Sequence, residues 1–249
     1  MPVTTSLEAR WSRLRRRIGE LARADGRSGD DVLLVAVTKS VDPARAAELR
    51  RLGQADLGES RADDLERKVL HFRTEGLAAR WHFVGHLQRN KARRVVRVAD
   101  VIHSVDSLEL LAAIARVARE EGRRPEVYLQ VKLAPEAAKT GLDPARLREV
   151  ALGARAHPEV LLVGLMTIAP LGDPADPLPR AELARAAFAE LARLARGLAA
   201  DPATRAAFRD GRVRTSMGMS DDYALAIAAG SDVVRVGSAL FASGEEAGG

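Results

Sequence analysis

The chain has 249 residues, 47% hydrophobic and 29% charged, a balance that suits a soluble globular protein with a large core. It contains no cysteine, which excludes disulfides and thiolate metal sites, and no apolar run nears the roughly 20 residues that a membrane-spanning helix needs. The formal charge of +5 invites a nucleic-acid reading, but only 4% of residues are aromatic, and arginines sit among acids as in Arg61-Ala62-Asp63-Asp64-Leu65-Glu66-Arg67, the pattern of a solvated helix face.

The chain opens without a basic stretch followed by an apolar one, so no signal peptide is expected, and a cytoplasmic location is the expectation. A first helix is predicted over 6–24, where Leu7, Trp11, Leu14, Ile18 and Leu21 recur at spacings of three and four. Strand-like runs follow at 33–38, 55–58, 81–85, 101–104, 127–131, 161–168, 213–216 and 233–236. Helical stretches lie between them at 43–52, 61–75, 88–98, 107–121, 144–156, 180–199 and 220–229, with a short closing stretch after Ser238. Strands that are apolar throughout suit a parallel sheet covered on both faces. Eight β-α units in this length predict an α/β fold, a single (β/α)8 TIM-type barrel with an additional N-terminal helix. There is no internal repeat beyond the alternation and no linker, so residues 1–249 read as one domain, with 244–249 as a disordered tail. The Pro- and Gly-rich stretch 169–179 falls in the loop after the sixth strand, either a mobile loop over a site or a tolerated insertion.

Lys39 ends the first strand in phase with Val35 and Val37, so it is aimed as the core residues are. Desolvation there would free its amine to attack an aldehyde; alternatively the side chain snorkels to solvent. The loops after strands seven and eight, Ser216-Met217-Gly218-Met219-Ser220-Asp221-Asp222 and Arg235-Val236-Gly237-Ser238, pair glycine with serine beside a helix start, a composition suited to phosphate. In the first of them Ser220 reads as the N-cap of the next helix, with Asp221 and Asp222 in its first turn. Arg235 lies inside a strand that should be buried, so its guanidinium needs an acceptor. That acceptor is either an acid on a neighbouring strand or the ring nitrogen of a cofactor such as pyridoxal phosphate. His82 and His86 are four apart, but along a strand that spacing spans about 13 Å, too far for one zinc ion. His82 is in phase with Val84 and is expected to face the barrel mouth, as a structural or a ligand-contacting residue.

These residues resemble the family of pyridoxal-phosphate homeostasis proteins, related to the N-terminal domain of alanine racemase. The resemblance runs from about residue 8 to Ala242. It is carried by Leu34-Val35-Ala36-Val37-Thr38-Lys39, Leu57-Gly58-Glu59-Ser60, Trp81-His82-Phe83-Val84-Gly85-His86-Leu87-Gln88-Arg89-Asn90-Lys91, Gly164-Leu165-Met166, the Ser216–Asp222 string and Val234-Arg235-Val236-Gly237-Ser238-Ala239-Leu240-Phe241. It implies pyridoxal 5'-phosphate held on Lys39 as a lysine aldimine and Arg235 at the pyridine nitrogen. It also implies phosphate contacts from Ser216, Met217, Gly237 and Ser238, with Ser60, His82 and Met166 around the ring. The family's Gly-Glu-Asn is Gly58-Glu59-Ser60 here, which removes an amide's donors from that position. Lys132 stands where the family has asparagine. Glu136 and Lys139-Thr140-Gly141 fit its pattern, Lys139 as an accessory candidate.

Three functions compete. The resemblance implies a protein of intracellular PLP homeostasis that holds the cofactor with little or no catalytic turnover. A PLP-dependent amino-acid racemase is the alternative, and a Schiff-base aldolase a third. Racemisation needs acid–base groups on both faces of the substrate carbon. The chain runs out soon after strand eight, so the second domain that completes such a site in racemases is not expected, and neither Tyr128 nor Tyr223 sits in a catalytic motif. An arginine at the ring nitrogen keeps that nitrogen unprotonated and weakens the ring as an electron sink. The aldolase reading has no carboxylate beside Lys39 and leaves Arg235 unexplained. The expected partners are the cofactor itself and, transiently, apo forms of PLP-dependent enzymes. No nucleic acid, membrane or metal partner is expected, and the chain is expected to be a monomer.

Overall fold

Eight parallel strands follow one another around a closed barrel in sequence order. They are β1 (Leu33–Val37), β2 (Asp56–Glu59), β3 (Arg80–Phe83), β4 (Val101–Val105), β5 (Glu126–Gln130), β6 (Leu161–Met166), β7 (Arg214–Ser216) and β8 (Val233–Val236). The computed structural model describes residues 6–133, 140–170 and 179–241. Most of the loop 169–179, the tail 244–249, Glu136 and Lys139 lie outside the described residues.

Helix α1 (Leu7–Ala24) precedes the barrel, capped by the Ser6 hydroxyl, which accepts from the Ala9 N–H. The helices that alternate with strands are α2 (Pro43–Arg51), α3 (Ala62–Thr74), α4 (Ala92–Val96), α5 (Leu108–Glu120), α6 (Leu147–Gly153), α7 (Arg180–Ala200), α8 (Pro202–Arg205), α9 (Tyr223–Ala228) and α10 (Ser238–Phe241). The helix expected over 88–98 resolves into a single 3-10 turn (Arg89–Lys91) and the short α4. The strand expected over 81–85 stops at Phe83, which pairs with Glu59, the last residue of β2; beyond it Gly85 runs so close to Ser60 that a Cβ there would overlap the Ser60 carbonyl oxygen. The turn Pro202–Arg205 was not read from the sequence; Asp201 caps it.

Strand phase divides the core. Leu34, Ala36, Leu57, Ile102, Leu162 and Val234 face the helices and belong to the large outer cluster. Val35, Val101, Tyr128, Val163, Met166 and Val233 point into the barrel. β1 and β8 close it in a fixed register, with Val35 opposite Arg235 and Ala36 opposite Val236. The inward side chains of β2, β3, β4, β7 and β8 include polar ones, which the barrel must satisfy internally.

Candidate functional site

Thr38 is fully buried and Lys39, the next residue, is exposed in a turn. The desolvated lysine expected at the strand tip is therefore not what the protein alone provides: β1 ends at Val37, and Lys39 has already left the core. Its backbone is nevertheless tightly held. The buried Lys68 of α3 donates to the Thr38 carbonyl at 2.6 Å and is ion-paired with Glu59, while the Thr38 hydroxyl donates to the same Glu59 carboxylate at 2.5 Å. Lys68 and Glu59 were missed as site residues. The signal was present: Lys68 lies on the face of α3 that carries Leu65, Val69 and Phe72, all buried.

Arg235 is buried inside the barrel. Its Nη1 donates to Ser216 Oγ at 2.7 Å and its Nη2 to the Thr167 carbonyl at 2.9 Å. Among the described residues it makes no salt bridge, so the acid on a neighbouring strand is not there. Burial lowers its pKa from the usual guanidinium value to about 10, with only the more distant Asp222 and Tyr128 charges opposing. It remains a cation at neutral pH, held by neutral oxygens.

Ser216 Oγ also meets His103 Nδ1 at 2.9 Å, His103 Nε2 meets His82 Nδ1 at 2.9 Å, and His82 Nε2 meets Asp56 Oδ1 at 2.9 Å. His82 thus lies deep in the barrel rather than at its mouth, since its strand begins at Arg80 and its ring turns toward Asp56 at the start of β2. His103, absent from the sequence-based set, stacks on Tyr128 with centroids 4.6 Å apart. It could have been found by its phase with the inward Val101. His86 is a separate group: it is exposed, with Asp106 at 3.7 Å.

The two glycine-serine loops meet. The Ser220 hydroxyl accepts from the backbone N–H groups of Gly237, at 3.2 Å, and Ala239, at 3.3 Å. Ser220 therefore does not cap the helix after its own loop; α9 begins at Tyr223, and Asp222 turns back to accept from the Met219 N–H at 2.6 Å. Gly218 has φ +95°, and a Cβ there would lie 2.5 Å from the Ala226 Cβ. A Cβ at Gly237 would lie 2.9 Å from the Val37 carbonyl oxygen, so only glycine lets the β8 turn pass this close to β1. Ser238 begins α10.

Ser216 and Met217 are otherwise committed. The Ser216 hydroxyl serves Arg235 and His103. The Met217 N–H donates to the Val233 carbonyl, its own carbonyl accepts from Ser231, and its side chain is buried on the helix side. Met166 is fully buried within the barrel, and Ser60, half-buried, follows the end of β2. Lys132, also half-buried, donates its N–H to the Leu142 carbonyl just past β5.

The site can do three things chemically. It offers an exposed primary amine on a rigid backbone, a buried cation without a carboxylate, and two N–H groups converging on one oxygen. The Ser220 oxygen sits where an oxygen of a phosphate ester could sit, and Arg235 has the charge and donors to meet a ring nitrogen. Both features fit pyridoxal phosphate.

The family model for the N-terminal domain of alanine racemase matches residues 10–244. A protein of Deinococcus radiodurans named pyridoxal phosphate homeostasis protein is 40% identical over 228 residues, which is 90% of this chain and 96% of that one. The structure of PipY from Synechococcus elongatus PCC7942, with PLP bound, superposes with a TM-score of 0.79 at 35% identity, covering 95% of this chain and 100% of that one. Alanine racemase of Streptomyces lavendulae shares the fold, with a TM-score of 0.61 at 22% identity; the match covers 91% of this chain and 56% of that enzyme.

Proposed function

The chain belongs to the family of the alanine racemase N-terminal domain and, within it, to the pyridoxal phosphate homeostasis proteins; from that premise we propose that it binds pyridoxal 5'-phosphate at the barrel mouth and serves intracellular homeostasis of that cofactor, with little or no turnover of its own. The observation that carries this reading is Arg235: a buried guanidinium with no carboxylate beside it among the described residues, one strand away from the β1 end that leads into Lys39.

The cofactor supplies an aldehyde that condenses with a primary amine with loss of water. Lys39 provides the amine at Nζ, and the Lys68–Thr38 bond fixes the peptide from which it extends. Arg235 donates to the ring nitrogen and, as a cation, leaves that nitrogen without a proton. The Gly237 and Ala239 N–H groups, now on Ser220, take the phosphate, with the Ser220 and Ser238 hydroxyls beside them. Ser220 joins Gly237 and Ser238 in this assignment, while the Ser216 hydroxyl is engaged by Arg235 and His103. Ser60 and Met166 border the ring, whereas His82 acts from below through His103.

The same residues favour holding over turnover, though an arginine at the ring nitrogen is an arrangement that racemases also tolerate. An unprotonated ring nitrogen is a poor electron sink. A titration of the protein with pyridoxal phosphate, followed by visible absorbance, tests binding; saturation with a band lost in Lys39→Ala is expected. Assays of the loaded protein with D- and L-amino acids test the rest. Turnover at about 1 per second or faster would make it an enzyme instead.

A further inference from the structure

Arg235 is anchored through a chain of side chains that crosses the barrel: Ser216 on β7, His103 on β4, His82 on β3 and Asp56 on β2. Each link needs one hydrogen, and with neutral imidazoles the Asp56 end settles where all of them are. Arginine only donates, so Ser216 Oγ accepts from it, and the direction of the Ser216–His103 link is set from the other end. The carboxylate of Asp56 only accepts, so His82 carries its proton on Nε2 and accepts at Nδ1. His103 must then carry its proton on Nε2, which leaves Nδ1 free to accept from Ser216. Read from the carboxylate, with both imidazoles neutral, the assignment is two Nε2–H tautomers, with the donors of Ser216, His103 and His82 all aimed toward Asp56. The chain ends near the N-terminal mouth of the barrel, where a cavity of about 160 Å³ is lined by Arg80, His82, Glu126, Tyr128 and Asp232.

We propose that Asp56, His82, His103 and Ser216 are positioning residues for Arg235, a one-way hydrogen-bonded relay through which the opposite end of the barrel sets how firmly the guanidinium grips a ring nitrogen. The inference rests on the reading that Arg235 meets that nitrogen. The polarity of the relay leaves the Ser216 oxygen free to accept from Nη1, which fixes one side of the guanidinium as the Thr167 carbonyl fixes the other. A proton added to His103 would reverse the bond to Ser216 and set a second cation beside Arg235. The charged and titratable groups that face the two imidazoles are Asp56, Arg80, Asp100, Tyr128 and Arg235, and burial holds both rings below the usual histidine pKa.

The test uses two ligands: pyridoxal phosphate and its carbocyclic analogue, in which the ring nitrogen is replaced by C–H. Ser216→Ala and His103→Phe are expected to weaken binding of pyridoxal phosphate about tenfold, the worth of one hydrogen bond to a charged group. Binding of the analogue should change less than about twofold, because it never engages Arg235, and Ser216→Thr should restore the lost affinity. Nitrogen-15 spectra of the unliganded protein should show Nε2–H on both imidazoles. Asp56→Asn, at the end of the relay nearest solvent, should introduce a second tautomer. Equal weakening for both ligands would mark a merely structural role and overturn the proposal, as would Nδ1–H tautomers. If the unaltered protein binds neither ligand, the functional reading itself falls and the tuning with it, which the tautomer spectra distinguish from failure of the relay geometry.

Discussion

Lys68 donates a 2.6 Å hydrogen bond to the carbonyl oxygen of Thr38, so the peptide that carries Lys39 is held from helix α3 rather than from its own strand. The pair Lys68–Glu59 is almost wholly buried, and the Thr38 hydroxyl donates to the same carboxylate oxygen, the other oxygen having no partner among the described residues. Truncating one member strands the other charge in the core. Lys68→Met should therefore destabilise the protein by about 3–5 kcal/mol in urea denaturation, whereas Lys68→Met combined with Glu59→Leu should cost much less than the two single changes summed. Additive losses would show that the pair does not act as a unit.

Arg235 pays the desolvation of a buried cation without a carboxylate to offset it. Arg235→Met should leave the unliganded protein as stable as before or more stable, while weakening pyridoxal phosphate binding by roughly tenfold to a hundredfold, the range of one hydrogen bond to a charged group. Stability and affinity are measured by thermal unfolding and spectroscopic titration. A large drop in unliganded stability would mean that the guanidinium serves the fold.

Acid should unfold the protein partly through its two interior histidines. Burial lowers the pKa of both, so below the unfolded value of about 6.5 the unfolded chain binds protons that the native one does not. Stability is therefore full above that pH and falls as pH drops toward the native values. The loss is up to about 2.7 kcal/mol per pH unit while both remain neutral. His103→Phe should halve that part of the slope, measured as the difference from the unaltered protein at pH 7, 6 and 5. Parallel curves would exclude the pair as the cause.

Ser220 occupies the two N–H groups assigned to phosphate. Ser220→Ala frees those N–H groups while removing a hydroxyl beside them, so it should shift pyridoxal phosphate binding yet leave the phosphate-free aldehyde pyridoxal nearly unaffected, because only the former carries a group for that turn. Equal effects on both ligands would place the phosphate elsewhere.

The barrel was legible because its apolar runs and helical periods alternate almost without interruption, and the phase of each strand is a period-two signal that needs no tertiary information. The strand ends were less so. Where β3 stops depends on where its partner β2 ends, at Glu59 opposite Phe83, and which N–H groups Ser220 meets depends on two loops 17 residues apart in sequence meeting at the mouth. Arg235 stood out because a charge inside an apolar strand is anomalous by itself. Asp56 and His103 did not, since each looks ordinary until its inward neighbour is known. Lys68 was readable from its place on an apolar helix face, but its partner Glu59 came from another element. Lys39 lost its expected burial: what is held is the peptide behind it.

The central claim is that Lys39 takes the aldehyde of the cofactor, and the most direct measurement is borohydride reduction of the protein loaded with pyridoxal phosphate, followed by peptide mapping. The account predicts stoichiometric modification at Lys39, with none at that site when the cofactor is omitted. Modification at Lys68, Lys91 or Lys132 instead, or scattered labelling that persists in Lys39→Ala at equal yield, would contradict it.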